Sequence, residues 1–336
     1  MPITGGATTR PRPPIKAPVV AVSRPSLPGG ALSRLPGDVT LRLWPERRPP
    51  SPAELVELVA GANGLVCLHT ERIDAGFLEA CPDLVAVSTL GVGVDHFDLD
   101  ALRAAGVAAA HTPGVLEQAT ADMAWALLLA AARQVVQADH FVRDGSWDFL
   151  DLDIFVGPDL KGATLGVVGY GRVGRAMARR SAGFDMRVLC YDPTFVPDGL
   201  ATACSLDELA ARSDFVSVHT PLNHATRHLV DERFLKAMQR HAVLVNTSRG
   251  GVVDQEALVR ALRERWIFAA ALDVQAVEPV PSGDVLLSLP NCTLTPHIGS
   301  ASIGARRSMA ELAVDNLAAV LAGKPMLTPL VPLPEG

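Results

Sequence analysis

From Pro18 onward, short fully apolar runs alternate with amphipathic stretches, the pattern of buried strands joined by helices. VVAVS, LRLW, GLVCL, LVAVST and VAAAHTP predict strands within residues 18–111. After the second of them, Ser51-Pro52-Ala53-Glu54 combines a Ser N-cap, a Pro at the first helical position and a Glu at the third, a capping box. These elements predict one small α/β unit. Residues 115–145, VLEQATADMAWALLLAAARQVVQADHFVRDG, predict one unusually long helix closed by Gly145. Its apolar face is wide enough to bridge two domains or line a dimer interface, and a plain core helix would look the same. From Leu160 to about Pro296 a second series follows: ATLGVVG, MRVLCYD, DFVSVHT, HAVLVNTS, FAAALDV and CTLTPHIG. The segments between them read as crossover helices, such as SLDELAARS, where Ser205 and Glu208 form another capping box, so a doubly wound parallel sheet is expected. A last helix, from about Ser302 to Leu321 and closed by Gly323, is placed to cross back and complete the first unit; MLTPLVPLPEG after it reads as irregular.

A chain of 336 residues implies about two domains. A net charge of −6, with only the short basic runs PERRPP and MARRSAG, argues against a nucleic-acid partner. Cys67, Cys81, Cys190, Cys204 and Cys292 include no C-x-x-C pair and read as reduced thiols of a cytoplasmic protein. The longest apolar stretch, Met123 to Ala132, is far short of the ~20 residues that span a bilayer, so no membrane association is expected. MPITGGATTRPRPPIK lacks the apolar region of a signal peptide, and residues 1–17 read as a flexible tail.

The stretch GVVGYGRVGR carries Gly169, Gly171 and Gly174 in the spacing G-x-G-x-x-G, after an apolar strand and before a helical pattern. In such a unit the first glycine makes the turn, the second lets a pyrophosphate approach the backbone and the third lets helix pack on strand. Asp192, at the end of the next strand, stands where a ribose hydroxyl pair would be held. Pro193, Thr194 and Phe195 follow it, with no cation for a 2′-phosphate, so NADH is expected over NADPH. Ligands of such sheets bind at the carboxyl ends of the strands, which turns attention to Thr220, Ser248, Arg249, Asp273, Glu278 and His297. An Arg can grip a carboxylate by a planar fork, a His can exchange a proton near neutrality, and a carboxylate beside the His orients its ring and favours its charged form. His224 and His228 would face one another only on a helix and follow a loop-like Pro221-Leu222, so no metal site is expected.

Taken together, LGVGVDHFDLDAL, HTPGVLEQATADMAWALLLAAAR, LGVVGYGRVGRAMA, VSVHTPL, LVNTSRGGVVDQEAL, ALDVQAVEP and LTPHIGSA resemble the D-isomer-specific 2-hydroxyacid dehydrogenase family from Val19 to about Leu330. Within it, GVGVDH, the DGSW loop ending at Trp147 and NCTLTPHIGSA are most similar to glyoxylate/hydroxypyruvate reductases. The resemblance implies two Rossmann/flavodoxin-like domains: a substrate-binding domain split between residues 18–111 and 299–330, and an NAD-binding domain over 112–298. It implies Arg249 as the substrate grip, Glu278 as the acid partner and His297 as the proton donor. It places the cofactor against Gly169, Gly171, Arg172, Val173, Gly174, Asp192, Thr220, Pro221, Thr247, Ser248, Asp273 and Gly299. The backbone of Val92 and Gly93 would face the substrate carboxylate, and a homodimer would form through the long helical region.

The implied activity is NAD(P)H-dependent reduction of a small 2-oxo acid, of glyoxylate or hydroxypyruvate type, to the D-2-hydroxy acid. Gln275 and Ala276 depart from the family's DVFE, yet the spacing from Asp273 to Glu278 is kept. Glu278 speaks against formate-type activity, and Leu68 in the LHTER stretch against a phosphorylated substrate. Other readings are a dehydrogenase for another 2-hydroxy acid, or an NAD-binding corepressor-like redox sensor. His69, His96, His111, His140, His219 and His241 read as structural, with His69 a second candidate for the pocket.

Overall fold

The computed structural model describes residues 14–332. The chain first runs through β1 (Val19–Val22), β2 (Thr40–Leu43), α1 (Pro52–Val59), β3 (Gly64–Cys67), α2 (Ala75–Ala80), β4 (Ala86–Thr89), α3 (Leu99–Ala104) and β5 (Ala108–Ala110). It continues through α4 (Glu117–Ala132), α5 (Val135–Arg143), β6 (Thr164–Val168), α6 (Arg172–Ser181), β7 (Arg187–Tyr191), β8 (Thr202–Ala203), α7 (Leu206–Arg212) and β9 (Phe215–Val218). There follow α8 (Glu232–Ala237), β10 (Val243–Asn246), α9 (Gln255–Arg263), β11 (Ala269–Leu272), β12 (Cys292–Leu294), α10 (Ile303–Leu321) and β13 (Pro329–Val331). Two compact units result: the described residues up to Leu116 with those from Ser302 on, and Glu117–Ala301.

In the first unit the strand order is β13-β5-β4-β3-β1-β2, parallel except for β13. β3, β4 and β5 are buried at every position, as strands covered on both faces must be. α10 crosses back onto β3 and β4, burying Met309, Ala313, Val314 and Leu317. The expected irregular tail is instead strand from Pro329 to Val331, antiparallel to β5. Its entry is tied by buried Asn316, whose Oδ1 accepts the Thr328 N–H at 3.0 Å, while the Thr328 hydroxyl donates to the His111 carbonyl at 2.6 Å. A proline is tolerated there because the strand lies at a sheet edge. Of the tail expected over residues 1–17, residues 1–13 lie outside the described residues, and the Ile15 N–H is anchored on the Leu321 carbonyl at 3.1 Å.

In the second unit the order is β12-β11-β10-β9-β6-β7-β8, parallel throughout. The six expected strands are all present, and β8 adds a short edge. The Ser205 cap forms as the sequence indicates, accepting from Glu208 N, and Asp231 and Asp254 cap α8 and α9 by accepting from Phe234 N and Ala257 N, each contributing about 1 kcal/mol. The single long helix expected over residues 115–145 is two. It breaks at Gln134, which is left-handed at φ +50°. Buried α4 packs on α6, β10 and β11, whereas α5 buries no residue, so the chain turns as it leaves the core for the surface. Gly145, at φ +80°, ends α5 as expected. The five cysteines are free thiols. No helix among the described residues is long and apolar enough to cross a membrane.

Candidate active site

β6 is flanked by β7 on one side and β9 on the other, so successive connections leave it in opposite directions. Such a switch point opens a crevice at the carboxyl ends of the strands. Gly169 makes the turn there at φ +89°, and a Cβ on it would fall 2.8 Å from the carbonyl carbon of His219 and the nitrogen of Thr220. Gly174 is buried in α6, and a Cβ there would collide with the Gly169 carbonyl oxygen. Gly171 is the N-cap of α6, and a Cβ on it would meet nothing within 4 Å. The loop is therefore packed beneath and open at the helix N-terminus, where Arg172 is exposed and Val173 half-buried. That shape suits a dinucleotide pyrophosphate.

Asp192 follows β7 and clasps this loop. Its Oδ2 accepts the Tyr170 N–H at 2.7 Å, and its Oδ1 accepts the Thr194 N–H and hydroxyl, both at 2.8 Å. Partial burial opposes ionisation, yet these hydrogen bonds outweigh it and hold the carboxyl below its usual pKa. A cation does lie near. Arg175, one turn into α6, stacks over the Tyr170 ring at 5.7 Å, stands 3.9 Å from Asp198, and adds to the lowering at Asp192. The residues after Asp192 did not reveal it, because it comes from the preceding helix.

Beyond β9, Thr220 is buried and Pro221 exposed. His219 pairs with the Ser217 hydroxyl at 2.8 Å and lies 3.5 Å from that of Thr247; desolvation pulls its imidazole pKa down to about 3. After β10, buried Asn246 shapes the next loop. Its Oδ1 accepts the Ser248 N–H at 3.0 Å and hydroxyl at 2.8 Å, while its Nδ2 donates to the Arg249 carbonyl at 2.9 Å. Thr247 is buried, Ser248 and Arg249 half-buried, and one guanidinium nitrogen of Arg249 donates to the Ser248 carbonyl at 2.8 Å.

Asp273, after β11, is 1% exposed, and a buried carboxylate needs donors. Thr295 supplies its hydroxyl at 2.6 Å, Ile298 its N–H at 2.8 Å and Gly299 its N–H at 2.6 Å. The His297 N–H donates to the Asp273 carbonyl at 2.9 Å. These bonds hold His297 in the left-handed region at φ +53°, an uncommon conformation for a non-glycine residue. So placed, its Nδ1 lies 2.7 Å from Oε2 of Glu278, each side chain 26% exposed. Oε1 of Glu278 accepts the Gln275 N–H at 2.9 Å.

The fold thus gathers Gly169, Asp192, Thr220, Ser248, Arg249, Asp273 and His297 at the carboxyl end of one sheet. Val92 and Gly93 belong to the first unit, in the loop after β4, where the Val92 carbonyl lies 2.9 Å from His111 Nδ1. Residues 223–229, with His224 and His228, form turns rather than a helix, so the two rings are not stacked on one helical face. Asn246 was missed by sequence reasoning and Gln275 was singled out only as a departure from the family's DVFE, although a polar residue closing an apolar run such as VLVN is a usable signal.

Residues 125–299 match the family described as D-isomer specific 2-hydroxyacid dehydrogenase, NAD binding domain. The chain is 45% identical over 312 residues to a glyoxylate reductase of Korarchaeum cryptofilum, covering 91% of this chain and 94% of that protein. A crystal structure of a protein from Thermus thermophilus superposes with a TM-score of 0.88 at 46% identity, over 93% of this chain and 100% of that one. So does that of an NADPH-dependent glyoxylate/hydroxypyruvate reductase from Sinorhizobium meliloti in complex with NADP and malonate: TM-score 0.81, 33% identity, 94% and 97% coverage. With its glycine-rich turn, the acid after its second strand and the Arg–Glu–His set at the carboxyl end of one sheet, the chain belongs to the D-isomer specific 2-hydroxyacid dehydrogenase family, and is an oxidoreductase with a nicotinamide-dinucleotide-binding domain.

Proposed function

We propose that the protein reduces glyoxylate, or a 2-oxo acid of similar size, to the corresponding 2-hydroxy acid, with D configuration where the product is chiral. The observation that carries this reading is the 2.7 Å contact between His297 Nδ1 and Glu278, at the same carboxyl end of the sheet as the glycine-rich turn. A dinucleotide fits that end of the sheet: Gly169 and Gly174 leave no room for a Cβ, Gly171 leaves the helix N-terminus open, and hydrogen bonds hold the Asp192 carboxyl below its usual pKa. When bound, the nicotinamide supplies a hydride equivalent to C2 of the oxo acid. Arg249 grips the substrate carboxylate and its carbonyl oxygen through a planar fork. Glu278 Oε2 accepts a hydrogen bond from Nδ1–H of His297, so the doubly protonated ring presents its second proton, Nε2–H, to the oxygen as charge develops there and ends the step as neutral imidazole. The same proposal gives the cofactor the positions named from the sequence and assigns the backbone of Val92 and Gly93 to the substrate carboxylate. Oxidation of NADH, followed by its absorbance with glyoxylate and compared with hydroxypyruvate and pyruvate, tests it. Absence of turnover with all three, with NADH still bound, would favour the redox-sensor reading.

NADH is the proposed cofactor, because the Asp192 carboxylate would repel a 2′-phosphate. A homodimer is proposed through the segment from α5 to Val156, where Val135, Trp147, Phe149, Leu150, Leu152 and Val156 are all more than half exposed. The five free thiols support a cytoplasmic location.

A further inference from the structure

Gln275 is buried at the point where the strand ends that carry Asp273 and His297 meet the loop that carries Glu278. Its Nε2 donates to the carbonyl of Leu272, the last residue of β11, at 3.1 Å and to that of Thr295, just past β12, at 3.4 Å. Its own N–H donates to Oε1 of Glu278 at 2.9 Å. Its carbonyl lies so close to Gly250 that any Cβ there would collide with it, so the turn that follows Arg249 rests on the Gln275 backbone. The next residue, Ala276, is held from α9, its N–H donating to Gln255 Oε1 at 3.1 Å, while Gln255 Nε2 donates to Asp284 at 3.1 Å.

We propose that Gln275 is a positioning residue for the reaction: its side-chain amide pins the two strand ends together and so aims its backbone N–H at Glu278, which in turn orients His297. The proposal rests on the reading of Glu278 and His297 as the proton-donating pair. A side chain of similar size without an amide leaves two carbonyls at the strand ends without this donor, and the loop from 275 to 278 loses its anchor. A carboxylate whose Oε1 loses a fixed donor can swing further, and His297 is then correctly aimed for less of the time. The loss falls on proton transfer, which the ground-state grip of Arg249 on a carboxylate does not share, so kcat drops while KM stays.

The test is Gln275→Leu in the full chain, with Gln275→Met as a second variant should Leu fail to fold. The expected result is a kcat for glyoxylate lowered about tenfold, KM within about twofold of the parent, and an NADH Kd that is unchanged. Combining Gln275→Leu with Glu278→Gln should lower kcat by less than about twofold beyond Glu278→Gln alone, because both act on one step. Multiplying losses in the double variant, an unchanged kcat in the single one, or a loss confined to KM would each overturn the role of Gln275. A Glu278→Gln enzyme with parental kcat would instead overturn the reading of the pair, a separate outcome seen in a separate variant.

Discussion

His297 Nδ1 lies 2.7 Å from Glu278 Oε2, and the other oxygen of that carboxylate is held by the Gln275 N–H at 2.9 Å. In the proposed function this carboxylate orients the imidazole through Nδ1, and Nε2 of the doubly protonated ring gives up the proton. Glu278→Gln should therefore lower kcat about 10- to 100-fold, and His297→Asn about 1000-fold, within the usual range for a positioned acid. Fluorescence titration should find NADH binding intact in both. Parental turnover in His297→Asn would remove the proposed donor.

Arg249→Lys keeps the charge and loses the planar fork. A fall of about 100-fold in kcat/KM is expected, with a thermal midpoint close to that of the parent, because this half-buried side chain lies beyond the end of β10 rather than in the core. Equal kcat/KM in variant and parent would take Arg249 out of the substrate grip.

His219 offers a test by pH. Its folded pKa, about 3, lies below the unfolded value of about 6.5, so the unfolded chain takes up the proton first. The stability tied to neutral His219 is fully present above about pH 6.5 and is lost progressively as pH falls toward the folded value. His219→Gln, which keeps a polar partner for Ser217, should lose less stability between about pH 7 and about pH 5 than the parent, measured by urea midpoints. Identical losses in the two proteins would refute the assignment.

For Asp192, replacement by Ser removes the charge expected to repel a 2′-phosphate and leaves Arg175 close by. The ratio of kcat/KM for NADH over NADPH should fall at least about tenfold, worth about 1.4 kcal/mol of discrimination. A parent enzyme that already prefers NADPH would contradict the NADH proposal itself.

Leu150 and Leu152 are 80% and 81% exposed in the segment after α5. Replacing both by Asp should shift the protein from dimer to monomer in sedimentation velocity at micromolar concentration. A monomeric parent would end the proposed assembly.

Much was legible in the sequence because it is written in short windows. A buried parallel strand needs an apolar run, a helix start needs a Ser or Asp followed by an acceptor for its own N–H, and a dinucleotide turn needs three glycines at fixed spacing after a strand. Each signal is local, and β6 with Gly169, Gly171 and Gly174, or Ser205 with Glu208, forms in the structure where its residues indicate. What tertiary structure decided are pairings between segments remote in the chain. β13 exists because Asn316 and His111 receive Thr328, though the residues around Pro329 carry no strand pattern. The long helix breaks at Gln134 because burial stops after α4, and no breaker residue marks the place. Arg175 reaches the surroundings of Asp192 only because α6 and β7 are adjacent, and Gln275, in the sequence only a departure from a motif, gains its bonds once Leu272 and Thr295 are brought beside it. Hydrophobic period and capping chemistry are properties of neighbours along the chain, whereas a hydrogen bond across a sheet edge depends on strand order, and strand order is set by the whole core at once.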